Sequence, residues 1–258
     1  MRSIFTLCLA LVALVSSAQV PKNIIIFEQS TAASYAPCEP SIAINPSNPS
    51  ELVAGAVLNY VATSKDSGRT WKNDQLKSRY GVFGDPCIAA DHKGRFYYFH
   101  LSDPSGLGWS DSSILDRIVC QRSNGIGKKW NKGFAPAPNG KKDQDKEWVA
   151  VHPTKGHIVM TWTEFDKYGA TEESCKSRIL MALSKNGKHW SEAYVISETE
   201  GNCIDESKTV EGATPSFSPN GDIYVSWSVN GDIKFVRLDM SHWDFGKRGH
   251  FKIGKEQT

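Results

Sequence analysis

Four times along the chain an apolar run meets a turn of Gly, Pro, Asn or Asp and continues into a second apolar run. The copies are "PSIAINPSNPSELVAGAVL", "PCIAADHKGRFYYFHLS", "EWVAVHPTKGHIVMTWTEF" and "TPSFSPNGDIYVSWS", turning at Asn45–Pro49, His92–Gly94, Pro153–Gly156 and Pro219–Gly221. Each is a hairpin signal, and their recurrence is an internal repeat. The first three hairpins are followed by "YVATSKDSGRTWKNDQLKS", "RIVCQRSNGIGKKWNKG" and "RILMALSKNGKHWSEAYVIS", which all run strand, Ser-bearing turn, tryptophan, strand. Trp71, Trp130 and Trp190 are 59 and 60 residues apart. Four strands per unit at a steady interval predict an all-β propeller of four-stranded antiparallel blades.

The N-terminus stands outside this repeat. "MRSIFTLCLALVALVSSAQ" has a basic residue, a short apolar run and small residues ending at Ala18, the pattern of a cleavable secretory signal. The run is shorter than the roughly 20 residues of a membrane span, and no later segment approaches one. The expected organisation is a signal at 1–18, a lead-in at 19–35 and blades over 36–258, in a secreted or periplasmic protein. A net charge of +2, with lysines spread among acids as in "KKDQDKE", argues against nucleic acid as a partner. Removing Cys8 with the signal leaves five of six cysteines, none at a CxxC spacing, so a zinc site is not expected.

The best-formed turn is "SKDSGRTW", Ser64–Trp71. An aspartate at its second polar position accepts bonds from the amides of its own turn, Gly68 supplies a positive φ, and Trp71 enters the next strand as core. Asp66 therefore has a structural task. This octet resembles the Asp box, S-x-D-x-G-x-T-W, of sialidases and related propellers. "SNGIGKKW" keeps Ser123, Gly127 and Trp130, and "SKNGKHW" has Asn186 in place of the aspartate. The chain is thus similar to the sialidase-like superfamily, secreted bacterial members in particular, which implies a six- or seven-bladed ring with ligands in a central depression. The repeat supplies about three complete blades plus a partial fourth, an incomplete six-bladed propeller. A small four-bladed ring, a truncated chain and closure by another copy are the alternatives.

In an A-B-C-D meander the Ser-bearing turns lie on one face, and the B–C loops and links into strand A lie on the other, the ligand face of such propellers. That face receives Glu39, Asp85, Asp145, Glu147 and Glu211 from the links, and Asp103, Asp116, Glu164 and Asp166 from the B–C loops. Arg117 and Arg178 stand at equivalent positions there, with Tyr80, Tyr168 and Arg79 nearby. Sialidases clamp a substrate carboxylate with arginine forks and use a tyrosine nucleophile with acidic partners. The resemblance thus implies Glu164, Asp85 and Tyr168 as catalytic candidates. It implies Arg117, Arg178, Glu39, Glu147 and Glu211 as substrate-binding candidates. No metal site is expected, although a carboxylate cluster of this kind also suits calcium.

The Phe/Tyr-Arg-Ile-Pro motif of that family is absent; "DRIV" and "SRIL" share only part of it. Strand-end acids also commonly serve backbone amides, and recurring arginines commonly bridge blades. Cys175 and Cys203 fall on the ligand face as a potential pair, Cys38 and Cys87 flank adjacent inner strands as another, and Cys120 is expected to be unpaired. The implied activity is that of a sialidase-like glycoside hydrolase acting on glycans. The alternatives are a non-catalytic glycan- or protein-binding propeller and an inactive fragment, because fold alone does not fix function.

Overall fold

The computed structural model describes residues 22–28, 36–126, 128–136, 140–245 and 250–258; the expected signal at 1–18 falls outside the described residues. Blade I comprises β1 (Ser41–Ile44), β2 (Leu52–Ala56), β3 (Tyr60–Ser64) and β4 (Lys72–Gln75). Blade II comprises β5 (Phe83–Ala90), β6 (Phe96–Leu101) and β7 (Ile118–Ser123). Blade III comprises β8 (Asp143–Val151), β9 (Ile158–Phe165), β10 (Ser177–Ser184) and β11 (Tyr194–Val195). Blade IV comprises β12 (Glu211–Phe217), β13 (Ile223–Val229), β14 (Asp232–Asp239) and β15 (Lys252–Ile253).

All strand pairs are antiparallel, and every predicted hairpin turn falls between the first two strands of a blade. A short 3-10 turn at Gly108–Ser110 is the helical element among the described residues. No helix among them is long and apolar enough to cross a membrane.

The inner strands β1, β5, β8 and β12 lie side by side in chain order. Between successive blades the core is aromatic and aliphatic. Phe96 and Tyr98 of blade II pack with Val53 and Val61 of blade I, and Trp227 and Val225 of blade IV pack with Ile179 and Met181 of blade III. Each such side chain contributes roughly 1.5–3 kcal/mol by leaving water. Gly55 permits the first of these contacts, because a Cβ there would lie 2.7 Å from the Tyr98 ring.

Two blades differ from the sequence pattern. Blade IV is fuller than expected: its tail, which has no recognisable turn motif, supplies both β14 and β15. Trp243 packs there against Tyr194 and Phe251, so an aromatic wedge is present without the octet. Blade II is thinner. Phe134 forms only an isolated bridge to Cys120, and Pro136, having no N–H, cannot extend that ladder.

The hydrogen bonds of the Ser64–Trp71 turn are those its sequence predicts, while Trp71 stands just before β4 and is half-buried instead of joining a core cluster. Ser64 Oγ donates to Asp66 Oδ1 (2.8 Å) and accepts from Gly68 N (2.9 Å). Asp66 accepts from the amide and hydroxyl of Thr70 (2.9 and 2.6 Å), and Trp71 Nε1 donates to Gly68 O (3.0 Å). Gly68 has φ +81°. The Thr70 hydroxyl, then the Thr70 amide and Ser64, hold the Asp66 carboxyl down at about 2. In blade III Asn186 Oδ1 substitutes, accepting from Lys188 N and His189 N.

Candidate functional site

Each inner strand carries the same irregularity at the end remote from these turns. Glu39, Asp85, Lys146 and Gly212 share one position relative to the strand pattern, and all have left-handed backbone (φ 46°, 38°, 50° and 72°). The ladder slips at this point in β5, β8 and β12. A bulge of this kind re-aims side chains out of the regular pleat. Three of the four residues are not glycine, and left-handed backbone at such residues costs of order 1–3 kcal/mol each. The repeated strain therefore turns Glu39, Asp85 and Lys146 toward a common depression.

That depression is a cleft of about 340 Å³ lined by the starts of the inner strands and the loops beside them. Five acids line it, Glu39, Asp85, Asp145, Asp205 and Glu211, against one cation, Lys146. Lys146 Nζ donates to Glu39 Oε2 (2.9 Å) and lies 3.4 Å from Asp85 Oδ2. Glu39 stands beside Asp85, and Glu211 beside Asp205, so that within each pair one carboxyl acts on the other.

Burial and neighbouring charge move the carboxyls of this cleft in different directions. Burial raises Asp85 to about 6 against the pull of Lys146. For Glu39, burial pushes upward but the bond and charge of Lys146 outweigh it, so this carboxyl stays below its ordinary value. Burial, then the neighbouring Asp205 carboxyl, raises Glu211 to about 8. Burial, then the charge of Asp85, raises Asp145 to about 7. At neutral pH the cleft therefore holds a protonated Glu211 and an ionised Glu39.

One wall is aromatic. Trp109 stacks on Tyr168 with ring centroids 5.4 Å apart and meets Phe83 edge-on at 5.9 Å. Asp103 shapes the loop that presents Trp109 by accepting from Gly106 N and Gly108 N (both 3.0 Å). Tyr168 is fixed by its hydroxyl, which donates to Asp205 Oδ2 (2.8 Å), and by its amide, which donates to Asp143. Burial, then Asp205, keeps the Tyr168 phenol protonated. The Cys175–Cys203 disulfide ties the loop bearing Asp205 to the loop bearing Tyr168, and Gly169 N donates to Cys203 O (2.7 Å).

The structure thus gathers four of the sequence candidates, Glu39, Asp85, Tyr168 and Glu211, in one cleft and sets the other four elsewhere. Glu164 is fully buried and is bonded by Lys142 (3.1 Å) and Gln144 (3.3 Å). Arg178 is engaged by Asp166 (2.7 Å) and Glu200 (2.8 Å). Arg117 forms a fork with its neighbour Asp116 and lies over the Tyr80 ring. Glu147, next to Lys146, turns inward, is 3 % exposed and has neither carboxyl oxygen partnered within the protein. Burial keeps it well above the ordinary carboxylate range.

Cys38 and Cys87, expected to flank adjacent strands as a pair, are both unpaired thiols, Cys38 exposed and Cys87 buried. Cys120 is a buried free thiol. Trp109, Asp205, Lys146 and Phe83 entered the site without being singled out in the sequence. Trp109 carried a signal: in "GLGWSDSS" it stands in a Gly- and Ser-rich loop where no strand needs it. Asp205 carried one only through its nearness to Cys203. Among the described residues no group of three or more His, Cys, Asp or Glu is arranged to hold a metal ion.

No family model and no curated protein matches the chain. Solved structures do. A protein of unknown function from Dyadobacter fermentans aligns at 16 % identity and a TM-score of 0.55, over 84 % of this chain and 68 % of that one. An ulvan lyase of polysaccharide lyase family PL25 aligns at 12 % identity and 0.52, over 84 % of this chain and 57 % of that one. The GH93 α-L-arabinofuranosidase of Fusarium graminearum, in complex with arabinobiose, aligns at 14 % and 0.50, over 83 % and 60 %. This chain spans less than two thirds of the length of the last two. At such identities the likeness establishes the fold, and the chain is a β-propeller.

Proposed function

We propose that this protein is an exported glycoside hydrolase that acts on a neutral, hydroxyl-rich glycan. The observation that carries the reading is the acidic cleft, in which a carboxyl held protonated and a carboxylate held ionised face one depression beside an aromatic wall. Most glycoside hydrolases divide the work in that way between two carboxyl groups. Glu211 donates its proton to the leaving oxygen, and Glu39, kept ionised by Lys146, receives the proton of the attacking water. Trp109 offers an apolar face to a sugar ring, and the uncharged ring carries no anion for the surrounding acids to repel. The fold likeness to an enzyme crystallised with arabinobiose supports the same substrate class. The Ser64–Trp71 octet, read as an Asp box, supports membership among the sialidase-like propellers.

Cleavage of a sialoside, the finer reading that the sequence suggests, has weaker support. A sialoside brings a carboxylate, and both arginines that would meet it are neutralised within their own blades. A panel of fluorogenic neutral glycosides and a sialoside tests the proposal. Release from a neutral glycoside, lost in Glu211→Gln, is expected. Turnover of the sialoside alone, or no binding of any neutral glycan, would overturn it, while binding without turnover would favour the non-catalytic reading.

A further inference from the structure

The molecule makes one kind of interface three times. Each following inner strand presses a pair of side chains toward the sheet before it: Ile88 and Ala90 on blade I, Val149 and Val151 on blade II, Pro215 and Phe217 on blade III. The same strand positions in β1 hold Ile42 and Ile44, each 54 % exposed. Residues 22–28 meet the outer half of this sheet, where Asn73 Nδ2 donates to Ile26 O and Phe27 meets Tyr60.

Blade IV shows the opposite half. In blade III the face that receives the next blade carries Thr161 and Thr163, whose hydroxyls donate to the carbonyls of Ala213 (2.6 Å) and Val210 (3.0 Å). The pairing registers place Ser226 and Ser228 of β13 where Thr161 and Thr163 stand in β9. Around these serines, Tyr224 and Ile233 are exposed at 40 % and 64 %, and the face is indented by a groove of about 390 Å³. Among the described residues the blade-to-blade interface thus continues, unmet, at both ends of the row.

We propose that these faces are the two halves of one interface and that each is occupied by a second copy of this chain, joined head to tail. Ile42 and Ile44 of one copy cover the blade IV face of the next. By the equivalence above, Ser226 and Ser228 then donate to the carbonyls of Pro40 and Pro37, the counterparts of Ala213 and Val210. Such an interface is heterologous: it joins different patches and generates a ring or an open row.

Sedimentation of the full chain across concentration tests this. The expected result is a concentration-dependent rise to at least twice the monomer mass. Ile42→Asp, at an exposed position, and Ser226→Arg, at a half-buried one on the open face, are each expected to restrict the protein to monomer. Mixed together, they restore a one-to-one dimer and nothing larger, because each retains one intact face. Ile44→Asp and Ser228→Arg repeat the experiment should either first variant lose its circular-dichroism signature. A parent that stays monomeric up to about 100 μM, a range that reveals even weak association, would overturn the proposal. So would variants that associate like the parent, or a mixture that gives no dimer.

Discussion

Acids occupy both ends of the blades, and they are treated in opposite ways. At the Ser-bearing end, Asp66 is met by an amide and two hydroxyls, all from its own turn, and its carboxyl falls to about 2. At the other end Asp85, Asp145 and Glu211 face other acids across blade boundaries and rise to about 6, 7 and 8, chiefly through burial. A polar group satisfied locally has nothing left to give a ligand. One held in an unfavourable charge state by its neighbours is available for proton transfer. The difference between these ends, more than the number of acids at either, separates architecture from chemistry.

The contrast is broken most severely at Glu211. Replacing it with Gln is expected to lower kcat by about 10²- to 10⁴-fold, the usual contribution of a general acid, with the thermal midpoint little changed. In the parent, kcat/KM is expected to fall as pH rises through about 8, because Glu211 then loses its proton. Activity persists on the acid side to below the ordinary glutamate range, because Lys146 holds Glu39 ionised. A pH profile lacking the alkaline fall would assign the acid role elsewhere. Next in size, Trp109→Ala should weaken glycan binding by about tenfold through lost stacking, read as a rise in KM with kcat nearly unchanged.

A stability measurement sharpens the same comparison. Carboxyls raised in the folded state support folding fully below their unfolded values, near pH 4, and that support is lost as pH rises through their folded values. The urea midpoint is therefore expected to drop between pH 5 and pH 9. Glu147→Gln, which keeps the shape of a buried acid without its proton, should lessen that drop. An unchanged slope would remove Glu147 from the account. Last, Asp66→Ala should lower the thermal midpoint at neutral pH while leaving kcat and KM as in the parent. A kinetic effect there would show that the two ends are coupled.

Much of the fold was legible because its signals are local. The hairpin turns and the Ser64–Trp71 octet each depend on residues within a few positions of one another, and they appear where expected; the tryptophan interval only repeats that local unit at the spacing of one blade. The tail of blade IV was not legible, because Trp243 finds its partners Tyr194 and Phe251 through packing and not through a motif. The site was legible as a face. Glu39, Asp85, Tyr168 and Glu211 could be listed as members of one rim, but so could Glu164 and Arg178, which the fold engages with partners of blade III and its flanking loops. Nothing in the spacing distinguishes the two sets.

By itself the sequence determined the repeat, the turn chemistry and the end of the blades at which acids gather, since these follow from strand alternation and short-range hydrogen bonding. Tertiary structure decided which acids share a cleft and which of them keep a proton. Those properties depend on burial and on charges brought in from other blades, as Lys146 of blade III is brought to Glu39 before β1 and to Asp85 of blade II.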